Sequence, residues 1–358
     1  MNGQWDLSRS RKKVEDLERL LKGARRDGLL ILAHNNPDPD TLASCAAFQL
    51  LVKKWLGIPS TLGYGGIITR AENKAMIQRL RLPFTRLTRL PRSDYFGIAI
   101  LDAQPGTGNN LMMRREEPPL VVIDHHPFRG ASRKAVFRDI RPDYGATSTI
   151  LTEYLVTVGI APNRSVANAL FYGIKTDTNY LLRGASQADF RAYRYLAPLT
   201  NPRVLGYIEK PRLTSAYFEA YHKGLSRATL YRDVVLCDLG PVEEESIIPV
   251  LADDLLRIEG VCWSLVTGTH QKMILMSMRS TSRKHQAGTI LRRLVGATGH
   301  AGGHGEAAGG QIPLTGKNRE NNSELVHGLF EDFLGLIGRE GCHPRPLVFQ
   351  NESVVAPS

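Results

Sequence analysis

The ionisable residues of this 358-residue chain with the means to act together fall in four short stretches. His34, Asp38 and Asp40 lie in HNNPDPDTLAS, and Asp102 closes FGIAILD. Asp124, His125 and His126 follow LVVI, and Asp177 sits in GIKTDT. One HxxxDxD alone is a weak signal, because acids and histidines often serve as solvated or capping groups in turns. Recurrence of the same residue types behind successive apolar stretches is a stronger one. The set is rich in carboxylate oxygen, has a few imidazoles and lacks thiolate, which suits Mn²⁺, Fe²⁺, Co²⁺ or Mg²⁺ better than structural zinc. Its carboxylates suffice for two ions. Two ions about 3.5–4 Å apart can share a water, lower its pKa towards about 7 and stabilise both oxygens of an in-line displacement. The chemistry in view is phosphoester hydrolysis.

These side chains need elements that bring them to one place. Residues 28–33 (GLLILA), 96–101 (FGIAIL) and 120–123 (LVVI) are continuous apolar runs, the pattern of buried parallel strands. Each delivers its acid or imidazole just past its carboxyl end, the edge at which open parallel sheets bind ligands. Between His34 and Asp40, alternation with Asn and Pro predicts extended, turning backbone, with helix only from about Thr41 to a stop at Gly57. Residues 7–25 carry Val14, Leu17, Leu20 and Leu21 at amphipathic helical spacing. Further helices are expected at 146–159, capped from the turn at 143–148, and at 165–175, leading into Asp177. Strands alternating with helices predict an α/β fold with a doubly wound, mainly parallel sheet.

A helical stretch over 186–229, broken by Pro198, Pro202 and Pro211, holds the expected boundary. Strands follow at 233–238, 260–268 and 272–278, then a helix at 287–296, the Gly-rich turn GHAGGHGEAAGG at 299–310 and a closing helix at 323–337. The predicted organisation is a catalytic domain at 1–200, a helical linker at 201–232, a smaller α/β domain at 233–340 facing the first across a cleft, and a loosely held tail at 341–358.

Composition limits the partners. The formal net charge of +11 favours anionic ones, although charge alone does not separate that from plain solubility. No apolar run reaches membrane-spanning length and the amino terminus lacks a signal-peptide core, so a cytoplasmic protein without membrane contact is expected. Cys45, Cys237, Cys262 and Cys342 show no paired spacing and read as reduced.

In order, HNNPDPDTLAS, the LD of Asp102, VVIDHH and GIKTDT resemble the four motifs of the DHH phosphoesterase superfamily. GGHGEAAGG resembles the glycine-rich signature of its DHH-associated C-terminal domain. The match runs over nearly the whole chain and looks like the stand-alone oligoribonuclease and 3′-phosphoadenosine 5′-phosphate (pAp) phosphatase branch. The resemblance implies that His34 and Asp38 bind a first metal ion, that Asp40, His125 and Asp177 bind a second, and that Asp102 bridges them. It implies that Asp124 orients an imidazole from behind and that His126 faces the scissile phosphate as donor or general acid. It also implies a substrate grip at Arg279, Ser280, Gly302, Gly303, Gly309 and His304, with Lys284 and His285 nearby.

Two divalent ions, Mn²⁺ first among them, and short RNA, linear dinucleotides or pAp are the implied cofactors and substrates, with a homodimer the default assembly. Pro39 stands where many relatives have Gly or another small residue, which bears on loop shape. The absence of an OB-like module and of CBS, PAS or membrane segments argues against exonucleases acting on long strands and against the larger cyclic-di-AMP enzymes. Manganese-dependent inorganic pyrophosphatases resemble the metal motifs as well. A nucleotide or RNA sensor without turnover is the non-enzymatic alternative.

Overall fold

The computed structural model describes residues 5–23, 28–68, 70–91, 94–112, 118–282, 286–304, 306–314 and 322–348. They form two compact units, Met1–Pro211 and Arg212–Ser358. The first unit contains, in order, α1 (Ser8–Leu21), β1 (Leu29–Leu32), α2 (Pro39–Leu56), β2 (Ser60–Tyr64), α3 (Ala71–Leu80) and β3 (Phe84–Arg86). It continues through β4 (Gly97–Leu101), β5 (Val121–Asp124), β6 (Phe137–Ile140), α4 (Thr147–Thr157), α5 (Arg164–Asp177), α6 (Gln187–Leu196) and α7 (Pro202–Glu209).

Its strands make a six-stranded sheet in the order β3-β2-β1-β4-β5-β6, every neighbouring pair parallel. Strand order reverses between β1 and β4, the point at which such sheets open a crevice beyond their carboxyl ends. Register pairs Leu32 with Ile100 and Leu101 with Ile123, so β1, β4 and β5 end level with one another. His34, Asp102 and Asp124 to His126 leave the sheet there, side by side.

Helix α2 is the packing hub of this unit, with α4 and α5 laid against it. Along most of its length it is buried, from Asp40 through Phe48 and again at Leu51 and Val52. It begins at Pro39 rather than at Thr41. Proline at the first helical position gives up an N–H that would have no partner anyway, and Asp38 caps by accepting from the Thr41 N–H at 3.0 Å. Asp40 thereby sits in the first helical turn instead of an extended loop. Helix α5 likewise runs two residues further than expected and carries Asp177 on its last turn. Gly173 is where α5 comes closest: a Cβ there would lie 2.6 Å from Ser148 Oγ and 3.1 Å from Asp40 Cα.

A second polar cluster lies deep in the unit. Arg141 is fully buried and donates to both Asp139 oxygens through Nε, at 3.0 and 2.9 Å, to Glu153 at 2.8 Å and to Ser10 Oγ at 3.0 Å. Ser10 donates to Glu153 at 2.6 Å. One guanidinium therefore ties α1, β6 and α4 together.

The second unit holds α8 (Ser215–Arg227), β7 (Thr229–Tyr231), β8 (Val234–Pro241), α9 (Ile247–Leu255), β9 (Trp263–His270) and β10 (Met273–Ser280). It ends with α10 (Ala287–Val295), β11 (His300–His304), β12 (Ala307–Pro313), α11 (Asn322–Leu336) and β13 (Arg345–Pro346). The strand order is β11-β12-β10-β9-β8-β7-β13, antiparallel except between β8 and β9. The stretch read as a connector is taken up by α7 in the first unit and α8 in the second.

The Gly-rich stretch is an antiparallel hairpin rather than an irregular turn, with Gly302 opposite Gly309 and Gly303 opposite Ala308. Gly303 has φ +142°, and a Cβ there would lie 2.4 Å from Ala307 O, so only glycine fits. The tail also departs from expectation: Arg345 and Pro346 pair with β7. Among the described residues no helix is long and apolar enough to cross a membrane.

Removing one partner from a buried ion network leaves the others uncompensated. Arg141→Ala should lower stability by about 3–5 kcal/mol in urea denaturation, and a loss under about 1 kcal/mol would show that the cluster contributes no more than a surface pair.

Candidate metal centre

His34 emerges from β1 with its Nδ1–H donating to Asn35 O at 2.8 Å, which leaves the lone pair on Nε2. That nitrogen lies 3.6 Å from Asp38 Oδ2 and 4.0 Å from Asp102 Oδ2. His125 repeats the arrangement. Its Nδ1–H donates to Tyr144 O at 3.2 Å, and Nε2 faces Asp177 Oδ2 at 3.0 Å and Asp102 Oδ1 at 3.6 Å. His125 Nε2 is nonetheless a buried polar atom with no hydrogen bond.

Asp40 is almost wholly buried, and its two oxygens accept from the Thr147 N–H at 2.7 Å and the Ser148 N–H at 2.8 Å. Helix α4 is thus capped by a distant acid rather than by the turn before it, whose cap position is occupied by Ala146. Asp102 ends β4 with φ +56°, a left-handed conformation unusual for a residue with a Cβ. Thr41 Oγ1 donates to its Oδ2 at 2.6 Å and Thr147 Oγ1 to its Oδ1 at 2.9 Å. Backbone strain of this kind costs on the order of 1–3 kcal/mol and persists where the surroundings over-determine it.

Among the described residues three groups could hold a metal ion, the ligand atoms within each lying within 4.8 Å of one another: His34 with Asp38 and Asp102, Asp40 with His125 and Asp177, and Asp102 with His125 and His126. The donor set fits divalent cations. It combines carboxylate oxygens with imidazole nitrogens whose other ring N–H is already engaged, and it turns the buried His125 Nε2 towards carboxylate oxygens of Asp177 and Asp102.

His126 is turned differently. Its Nδ1 lies 2.9 Å from Asp124 Oδ1, to which its backbone N–H also donates at 3.2 Å. Asp124 is buried, and its other oxygen accepts from Gln104 Nε2 at 2.6 Å. Gln104 also donates to Pro127 O at 3.1 Å and accepts from the Arg129 N–H at 2.6 Å and from Ser132 Oγ at 2.9 Å. Gln104, Thr41 and Thr147 are the contributors that the motif reading missed. They are neutral, so a search for titratable clusters passes over them; their one signal is position, one or two residues from Asp40 and Asp102 and at the start of α4.

The metal-free centre is electrostatically crowded. Burial raises Asp40 well above the carboxylate range, and the charges of Asp102 and Asp177 push it further. Asp102 is pushed up to about 6 by burial and by Asp38, with His126 and His125 opposing. Burial disfavours the His34 imidazolium, but Asp38 and Asp102 outweigh it and hold His34 at about 9. His125 is raised by Asp177, Asp102 and Asp40 against the same burial penalty.

In the second unit Arg279 ends β10, nearly buried, with Nε donating to Asp253 and Nη1 donating to Ser277 Oγ at 2.8 Å and Met278 O at 3.0 Å. Ser280 is buried and its Oγ accepts from the Ser282 N–H at 2.9 Å. Gly302 is exposed on β11, at the sheet edge, and no atom would meet a Cβ there. Lys284, His285 and the His304 side chain lie outside the described residues.

The sequence matches the DHH family, N-terminal domain, over residues 29–174 and the DHHA1 domain over residues 233–332. The chain belongs to the DHH phosphoesterase superfamily. An uncharacterised protein of Methanocaldococcus jannaschii is 34% identical over 91% of this chain, which spans only 66% of that relative's length. An A-adding tRNA nucleotidyltransferase of Geobacter sulfurreducens is 26% identical over 76% of this chain and 31% of its own. Among solved structures, an exopolyphosphatase-related protein from Bacteroides fragilis shares the fold, with a TM-score of 0.68 at 17% identity, over 91% of this chain and 98% of its own.

His34 at about 9, above its ordinary 6.5, is protonated at pH 7 in the metal-free protein, and a cation must displace that proton. Affinity for a divalent cation therefore rises with pH up to and through about 9. Calorimetric titration with Mn²⁺ at pH 7, in buffers of different ionisation enthalpy, should record release of at least one proton per chain; binding without release would remove His34 from the ligand set.

Proposed function

We propose that this centre is a two-metal phosphoester hydrolase acting on short oligoribonucleotides, linear dinucleotides of the pApA type or pAp. The observation that carries the reading is the placement of Asp102, which shares one ligand group with His34 and Asp38 and another with His125, itself grouped with Asp40 and Asp177. In this reading His34 and Asp38 would hold the first ion, Asp40, His125 and Asp177 would hold the second, and Asp102 would serve both. Two divalent ions, Mn²⁺ foremost, supply Lewis acidity and charge neutralisation at a phosphoryl group when bound.

The chain's own residues do the positioning. Thr41 and Thr147 fix the Asp102 carboxylate, and the α4 amides fix Asp40. Asp124 orients His126 through Nδ1, and in this reading the imidazole meets a phosphoryl or leaving-group oxygen. Burial disfavours the His126 imidazolium, but Asp124 and Asp102 raise its pKa above the ordinary 6.5, so it can carry the proton that the leaving oxygen takes up. Arg279, Ser280, Gly302, Gly303 and His304 keep in this reading the phosphate-binding role that the family resemblance implies, charge-assisted at Arg279.

With Mn²⁺ present, pAp or labelled RNA dimers should give product. Turnover of pyrophosphate alone would reassign the chain to pyrophosphatase chemistry, and saturable binding without product would make it a sensor. Asp102→Ala should abolish turnover while leaving the fold intact; near-normal activity with Mn²⁺ would refute the shared-ligand assignment. Arg279→Ala should raise KM with kcat little changed, as expected for an interaction made equally in ground and transition states.

A further inference from the structure

The segment between His126 and Asp139 has a surface that the hydrolytic centre does not use. From Pro127 to Arg138 it carries four exposed cations, Arg129, Arg133, Lys134 and Arg138, and no acid. Lys13 of α1 donates to Arg138 O, which brings the basic turn containing Arg11 and Lys12 alongside, while Arg9 is paired with Asp143 at 3.1 Å. Two large apolar side chains stand exposed in this basic surface, Phe128 at 46% and Val136 at 65%. The Arg133 guanidinium lies 5.8 Å from the centroid of the Phe128 ring.

We infer that residues 127–138, with the first turns of α1, form a binding track for single-stranded nucleic acid, and that Phe128 stacks a base beside the reacting phosphate. Strand-binding surfaces combine cations that follow the phosphates with an aromatic ring for the bases, and both are present here. An inorganic polyanion would use the cations and leave Phe128 without a role. An acidic peptide would have no need of a ring two residues from His126.

The backbone that carries the ring is also held in place. Gln104 accepts from the Arg129 N–H on one side of Phe128 and donates to Pro127 O on the other, while Ser132 Oγ donates to the same glutamine. Since Gln104 also holds Asp124, and Asp124 holds His126, one buried amide sets both the stacking ring and the imidazole. The inference deepens the reading of the centre as a nucleotide phosphoesterase and rests on it only for where the strand ends.

The test is fluorescence anisotropy with a labelled 12-nucleotide oligoadenylate and, as competitor, inorganic polyphosphate, using the full chain in EDTA so that no turnover occurs. Phe128→Ala should weaken oligonucleotide binding about tenfold and leave polyphosphate competition unchanged, with Phe128→Trp restoring affinity. The double change Arg133→Gln and Lys134→Gln should reduce the slope of log affinity against log salt by about 1.4. An unaltered thermal midpoint shows that each variant is folded. Oligonucleotide binding that ignores Phe128, or that polyphosphate matches with the same dependence on these residues, overturns the inference. Loss of pAp and dimer hydrolysis by the unaltered protein would instead overturn the hydrolase reading and leave the binding result standing.

Discussion

The first unit is organised around an electrostatic difficulty. Asp38, Asp40, Asp102 and Asp177 crowd against two imidazoles at the carboxyl edge of a parallel sheet, where Asp40 and Asp102 are almost out of water. Burying like charges is costly unless each is hydrogen-bonded or paired. The surrounding elements answer residue by residue. Thr41 and Thr147 hydroxyls serve Asp102, α4 amides serve Asp40, and the helix that carries Asp38 is capped by that same side chain. The left-handed backbone at Asp102 is tolerated because its carboxylate is fixed from two sides and its N–H donates to Ile123 O at 2.9 Å.

A neutral amide does comparable work on the adjacent side. Gln104 follows β4 and hydrogen-bonds Asp124 at the end of β5 and Pro127, Arg129 and Ser132 beyond it, so the DHH segment and the loop after it share one buried partner. Farther back, Arg141 locks α1 onto β6 and α4. Helix α4 is therefore anchored at its amino end by Asp40 and along its body by Glu153, which fixes the origin of the two amides that hold Asp40. Packing and site geometry meet in this helix.

Much of this was legible before any coordinates. The apolar runs ending in acids located β1, β4 and β5, because a fully buried parallel strand needs unbroken hydrophobicity and the charged residue that follows marks the sheet edge. His34, Asp38, Asp40, Asp102, His125 and Asp177 come together in overlapping groups, as positions after strand ends and, for Asp177, at the end of a helix suggest. The misses have physical causes. Proline after Asp38 was weighted as a turn former, although at a first helical position it begins α2. The local turn was credited with capping α4, whereas the acceptor lies 107 residues away in sequence, beyond any local pattern. The Gly-rich stretch 299–310 reads as a turn, yet its residues pair across two strands as a hairpin, with Gly302 opposite Gly309. Gln104 and Arg141 escaped because neither spacing nor charge distinguishes a buried hub from a surface residue.

The capping of α4 by Asp40 has a consequence for the metal-free protein. A helix amino terminus carries roughly half a positive elementary charge, and here it points at a carboxylate of the centre. That partial charge is covalently part of the fold, so dialysis and chelators that strip divalent cations leave it in place. One wall of the centre accordingly stays organised, with the Asp40 side chain held in place by the fold itself.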